Sequence, residues 1–229
     1  MILSASIPAL KRKAKALARD RGIRHHQALD QLARAEGFQS WSHLSAQGNP
    51  FTPGDFILLG ARPGHGKTLM ALRLLTDAVR AGRRGYFFTL EYTTVDVIRR
   101  LRQIGTEPRA LGANFILDTS DEISADYIIT KTADAATGEV IIVDYLQLLD
   151  QRRSNPLLAA QVAALSSYAQ RRRLIIVAIS QIDRAYEESA DTMPDLSHVR
   201  LPNPVDLNMF TKTCFLHAGQ IQINRHPPG

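Results

Sequence analysis

Between Phe56 and Arg80 the sequence runs from an apolar strand pattern, through a short segment of small residues and glycines, into an amphipathic helix pattern. The segment is Ala61-Arg62-Pro63-Gly64-His65-Gly66-Lys67-Thr68, with Leu69 opening the apolar side of the helix. Small side chains let successive backbone N–H groups turn toward an anion at a helix N-terminus, where the helix dipole adds its own attraction. A lysine just inside the helix neutralises terminal phosphate oxygens, and the hydroxyl after it can ligate a magnesium ion. The pattern therefore predicts a nucleotide-phosphate loop over Ala61–Leu69. Lys67 is its cation, Thr68 its metal-ligating hydroxyl, and ATP with Mg²⁺ its expected ligands.

Beyond this segment, short apolar runs alternate with helix-period runs, as a parallel sheet covered by crossover helices requires. Strands are expected at Phe56–Gly60, Tyr86–Leu90, Phe115–Leu117, Val140–Val143 and Leu174–Ile179. Helices are expected over 68–80, 94–104, 124–133 and 156–171, and a terminal hairpin over 209–216 and 220–223. Three strand ends carry chemistry. Asp144 follows Val140-Ile141-Ile142-Val143 and is the second candidate metal ligand, the alternative being a carboxylate that caps a loop. Glu91 ends Tyr86-Phe87-Phe88-Thr89-Leu90 and is the candidate for orienting an attacking water, against the alternative of a solvated strand end. Ser180 and Gln181 end the next apolar strand, where a polar group either senses a γ-phosphate or simply terminates the strand.

The chain divides by composition into a small helical module over 1–48, a turn-rich linker over 49–54 and an α/β domain over 55–229. In the module, Leu10, Ala14 and Leu17 share one helix face, and Leu29, Leu32 and Ala33 share a second. Gly22 and Gly37 are the expected stops, and a third helix is expected after Ser40, bringing Trp41 and Leu44 beside Phe38. Lys11, Arg12, Lys13, Lys15, Arg19, Arg21 and Arg24 make the module basic, which fits either contact with a polyanion or a solvated helix face. His25, His26 and His43 lack the partners of a metal site. The single Cys214 excludes a disulfide framework, and no apolar run reaches the roughly 20 residues of a membrane span. A cytoplasmic protein away from the membrane is the expectation. The net charge of +6 favours a polyanionic partner.

Four segments together resemble the ATPase domain of DnaB-type replicative helicases, a RecA-like P-loop family. They are Gly60 to Thr68, Phe88-Thr89-Leu90-Glu91, Val143-Asp144-Tyr145-Leu146-Gln147-Leu148 and Ile179-Ser180-Gln181-Ile182-Asp183-Arg184, and the resemblance extends over 51–184. It implies an α/β RecA-like core with a mostly parallel sheet. For individual residues it implies a catalytic glutamate at Glu91, a Walker B aspartate at Asp144 and a γ-phosphate-sensing glutamine at Gln181. It also implies a homo-oligomer, a hexameric ring around single-stranded DNA with ATP held between neighbours. The 48-residue module is expected to stand in place of the family's large N-terminal domain, and the family's basic strand end that reaches a neighbouring ATP site has no clear match. Arg200 and Arg225 are the two candidates for that arginine finger. The segment from Tyr186 to Pro204 is richer in acids than a DNA-facing loop would suggest.

The resulting expectation is an ATP-hydrolysing protein of the DnaB-like helicase superfamily, acting on or associated with DNA. The alternative is an ATP-dependent switch that does not translocate and engages a protein partner through residues 1–48.

Overall fold

The computed structural model describes residues 7–36, 41, 51–149, 152, 154–188, 191–201 and 203–226. Two compact units divide the chain, Met1–Phe51 and Thr52–Gly229. In the first, α1 (Ile7–Arg21) and α2 (His25–Ala35) pack on each other, with Leu10, Ala14, Ala28 and Ala33 buried. Gly22 takes a positive φ of 63° where α1 ends, a conformation that glycine reaches without steric cost. The expected caps Gly37 and Ser40, together with Phe38 and Leu44, lie outside the described residues. Trp41 is described, and its backbone N–H donates to Asp30 Oδ1 at 2.8 Å.

The second unit is a seven-stranded sheet in the order β3-β2-β4-β5-β1-β6-β7. Its strands are β1 (Phe56–Ala61), β2 (Gly85–Thr89), β3 (Phe115–Asp118), β4 (Val140–Asp144), β5 (Ile175–Gln181), β6 (Lys212–His217) and β7 (Gln220–Arg225). All neighbours are parallel except the hairpin β6–β7. The crossovers carry α3 (Lys67–Arg80), α4 (Thr94–Gln103), α5 (Ala125–Lys131) and α6 (Leu158–Arg172).

Burial follows from strand alternation. Phe56, Leu58, Phe88, Ile141, Val143, Ile176 and Ala178 join one cluster with Ile128 of α5 and Leu158, Val162 and Leu165 of α6. The alternate residues Ile57, Leu59, Phe87, Ile142, Val177 and Ile179 are also buried, and α3 packs against β1, β2, β4 and β5. Both faces are covered, which is why these strands read as unbroken apolar runs.

The sequence pattern placed these elements to within a few residues, and the differences have local causes. β5 extends through Ser180 and Gln181 because they pair with Gly60 and Ala61 of β1. The hairpin begins at Lys212 rather than Met209, because Leu207–Met209 forms a 3-10 turn capped by Asp206, whose Oδ1 accepts from the Asn208 N–H at 3.0 Å. Pro108–Asn114, a 3-10 segment leading into β3, had no periodic signal of its own.

Candidate active site

The order β2-β4-β5-β1 is contiguous and parallel, so the carboxyl ends of these four strands line one edge of the sheet. In open α/β sheets that edge is where ligands bind. Ala61 is paired with Gln181 and Thr89 with Asp144 across this edge. Residues far apart in sequence, namely Lys67, Thr68, Glu91, Asp144 and Gln181, thus come to one end of one sheet.

The loop after β1 is shaped by Gly64 and Gly66, with φ of 81° and 84°, a region that β-carbon-bearing residues reach only with strain. A β-carbon at either position would meet no atom within 4 Å, so open space adjoins the loop backbone. Gly66 is the N-cap of α3, and the amides of Lys67, Thr68 and Leu69 belong to a first turn whose donors have no intrahelical acceptor. Lys67 and Thr68 are themselves buried, at 6% and 5% exposure. The Arg62 side chain turns away from this cradle: its Nε donates to Glu187 Oε1 at 2.8 Å and a terminal nitrogen to the Ile182 carbonyl at 3.0 Å. Arg62 therefore takes part in the loop through its backbone.

Thr68 joins the loop to β4. Its hydroxyl donates to Asp144 Oδ2 at 3.0 Å, although the two residues are 76 positions apart. Asp144 is 1% exposed, and its other oxygen, Oδ1, is buried without a donor among the described residues. Burial and the nearby charge of Glu91 push the Asp144 carboxyl up to about 7, while Lys67 and the Thr68 hydroxyl pull it back. A hydroxyl and a buried carboxylate with an unsatisfied oxygen form the hard donor set that magnesium takes, usually alongside water and phosphate oxygens. The residues fit the ion.

Glu91 sits two residues beyond the end of β2 and is exposed. Sequence reasoning gave no role to the next residue, yet Tyr92 donates its hydroxyl to Glu91 Oε1 at 3.0 Å. Tyr92 is fixed in turn by Arg100, whose guanidinium carbon lies 3.7 Å from the ring centroid. The local sequence explains the arrangement. Thr93 and Asp96 form a capping box, Thr93 Oγ1 accepting from the Asp96 N–H at 3.3 Å and Asp96 Oδ2 from the Thr93 N–H at 3.2 Å. The box starts α4 immediately after Tyr92 and brings Arg100, two turns along, back over the ring. Thr93-x-x-Asp96 was the one sequence signal for it.

Gln181 is half-buried at the end of β5, beside the start of the phosphate loop. Ser180 is fully buried and its oxygen accepts from Gln147 Nε2 at 2.7 Å, which leaves Gln181 as the strand-end group at the loop. Gln147 Nε2 also donates to the Arg200 carbonyl, and the Arg200 N–H donates to the Gln181 carbonyl at 2.9 Å. The backbone of Arg200 is thereby tied to this edge while its side chain is exposed. Arg225 is paired with Lys212 at the start of β6, the opposite end of the sheet from this chain's own loop. Three acids of the segment after β5 are engaged within the chain: Glu187 by Arg62, and Asp191 and Asp195 by His198 at 3.3 and 2.9 Å.

The DnaB-like helicase C terminal domain family matches residues 103–206, a stretch that contains Asp144 and Gln181. The larger unit has a RecA-like α/β fold and is similar to DnaB-type domains. It is similar to the replicative DNA helicase DnaB of Mycoplasma pneumoniae, 26% identical with 64% of this chain and 39% of the relative covered. A probable plasmid replicative DNA helicase of Chlamydia muridarum is also 26% identical, with 70% of this chain and 42% of the relative covered. The chain thus spans about two fifths of the length of these relatives. Among solved structures, an isolated ATPase domain has a TM-score of 0.61 at 21% identity, covering 78% of this chain and 80% of that one. A DnaB-like replicative helicase studied with primase has a TM-score of 0.59 at 18% identity, covering 90% and 65%. The glycine-shaped loop and Glu91 precede the family match, so it is the sheet that joins them to Asp144 and Gln181.

Proposed function

We propose that the chain is an ATP-hydrolysing protein of the DnaB-like helicase superfamily that works on DNA. The observation that carries this reading is the 3.0 Å hydrogen bond from Thr68 to Asp144, which joins a glycine-shaped phosphate loop to a buried carboxylate with an oxygen still unsatisfied. In the proposed reaction the amides of the loop and Lys67 hold the phosphates of ATP, and Thr68 with Asp144 holds Mg²⁺. The ion, when bound, neutralises charge that develops on the phosphate oxygens. Glu91, oriented by Tyr92, aligns a water for in-line attack on the γ-phosphorus, and ADP leaves. Gln181, at the end of β5 beside the loop, is the group assigned to sensing the γ-phosphate.

The DNA partner rests on the relatives' names, which are those of replicative DNA helicases. Assembly of copies into a ring around single-stranded DNA, hexameric with ATP between neighbours, is the further expectation of the family resemblance.

The test is steady-state ATP hydrolysis by wild type and Lys67→Ala, with and without single-stranded DNA, with mass determined in the presence of ATP. Hydrolysis that requires Lys67, rises with DNA and accompanies a defined oligomer supports the proposal. Lys67-dependent hydrolysis indifferent to DNA would replace it with an ATP-driven switch acting on a protein.

A further inference from the structure

The chain's excess positive charge is not shared between its two units. Residues 1–51 contain eight Lys and Arg against three Asp and Glu, a net charge of +5 out of the chain's +6. Residues 52–229 contain twenty basic and nineteen acidic residues and are nearly neutral. The net positive charge is therefore concentrated in the unit without the nucleotide-site residues.

Within the first unit the charge is ordered. Lys11, Lys15 and Arg19 follow one another at four-residue spacing along α1, and Arg12 lies beside that row; all four are exposed. Leu10 and Ala14, on the opposite side of the same helix, are buried. Like charges at that spacing repel and cost helix stability. Asp20 is the only acid in α1, and it stands 3.6 Å from Arg19 with both side chains largely exposed, so it relieves little of the repulsion. A helix that holds uncompensated cations in a row on its outer face is suited to a regularly spaced anion such as a nucleic-acid backbone.

We propose that the Lys11–Arg12–Lys15–Arg19 face of α1 is a DNA-backbone contact site, independent of sequence and separate from the nucleotide site. The proposal rests on the reading of the chain as DNA-associated and names a surface that makes that contact. An anionic membrane surface is the less favoured partner. A helix that lies on a bilayer inserts its apolar face, and the apolar face of α1 is already buried by protein. Binding through phosphates alone works by counterion release, so it is strongly salt-dependent and carries no base preference.

The experiment uses the full chain and compares wild type, the quadruple variant Lys11→Gln/Arg12→Gln/Lys15→Gln/Arg19→Gln, and the charge-keeping variant Lys11→Arg/Lys15→Arg. Glutamine keeps helix propensity close to that of lysine and arginine, and circular dichroism checks that each variant folds. Fluorescence anisotropy with labelled single strand and duplex, without nucleotide, gives affinity against salt concentration. The expected result is tight binding by wild type and the charge-keeping variant. The quadruple variant is expected to bind roughly tenfold or more weakly, with a log–log salt slope shallower by about 2 to 4, at roughly one counterion per phosphate contact. An unchanged affinity and slope in the quadruple variant overturns the proposal. So does binding of wild type to phosphatidylglycerol vesicles but not to DNA. Basal ATP hydrolysis on the same samples keeps the two readings apart: its absence in wild type sinks the ATPase assignment, whereas the salt slope alone decides the surface.

Discussion

Tyr92 and Glu91 are consecutive in sequence, and the Tyr92 hydroxyl donates to Glu91 Oε1 at 3.0 Å while Arg100 covers the tyrosine ring. A carboxylate at an exposed strand end has several rotamers, and this bond with its stacked support selects one. In the proposed reaction Tyr92 is thus a positioning residue for Glu91, the group assigned to align the water. Tyr92→Phe is expected to lower kcat by roughly tenfold, equivalent to about 1.4 kcal/mol of barrier, with KM for ATP nearly unchanged. Glu91→Gln should lower kcat by about 10² to 10⁴ while nucleotide binding persists. Comparable losses of kcat and binding in Tyr92→Phe would show that the tyrosine supports the fold rather than Glu91.

The Thr68–Asp144 bond predicts how metal dependence responds to mutation. Thr68→Ala and Asp144→Asn should each raise the magnesium concentration needed for half-maximal hydrolysis by on the order of tenfold or more, and chelation should abolish hydrolysis in wild type. Magnesium titrations of activity at fixed ATP check this. An unchanged magnesium requirement in both variants would remove these residues from the metal site.

Asp55 and Lys212 form a buried ion pair at the base of β1 and β6, with Thr52 also donating to Asp55. Burial pushes the Asp55 carboxyl up, but the Lys212 ammonium and the Thr52 donors outweigh it and hold the group below its usual range. The folded value is therefore lower than the unfolded value of about 3.9. The pair's stabilisation is present above roughly pH 4 and is lost as pH falls through the folded value. Lys212→Met should destabilise the domain by about 3 to 5 kcal/mol near neutral pH, because it leaves a buried carboxylate unpaired. Denaturant unfolding at pH 7 and at pH 3 checks it, with the gap from wild type narrowing at the lower pH.

Cys214 is fully buried in β6, and burial pushes its thiol up to about 12. The thiolate is the reactive form, so a thiol reagent at pH 8 should label the folded protein slowly and the unfolded protein fully. Labelling of native protein as fast as in denaturant would contradict the packing of β6.

What the sequence determined by itself was local. Apolar runs of strand length and helix-period runs marked the elements of the sheet because burial on both faces leaves a continuous hydrophobic record. The candidate phosphate loop could be read from sequence because Gly64, Gly66, Lys67 and Thr68 must be close in sequence to wrap one anion. Asp144, Glu91 and Gln181 could be picked out as polar ends of apolar strands. Tertiary structure alone decided that these ends meet, since the order β2-β4-β5-β1 is a matter of long-range pairing that carries no local signal. The same holds for the 76-residue separation bridged by Thr68 and Asp144, for Gln147 taking up Ser180, and for Arg62 turning to Glu187. Tyr92 and Arg100 stand between the two cases: one precedes the cap of α4 and the other lies in its last turn, close in sequence, yet only the folded helix shows the guanidinium over the ring and the hydroxyl on Glu91. Spacing along the chain records what a segment must bury, whereas the partner of a buried polar group is fixed only when the sheet closes around it.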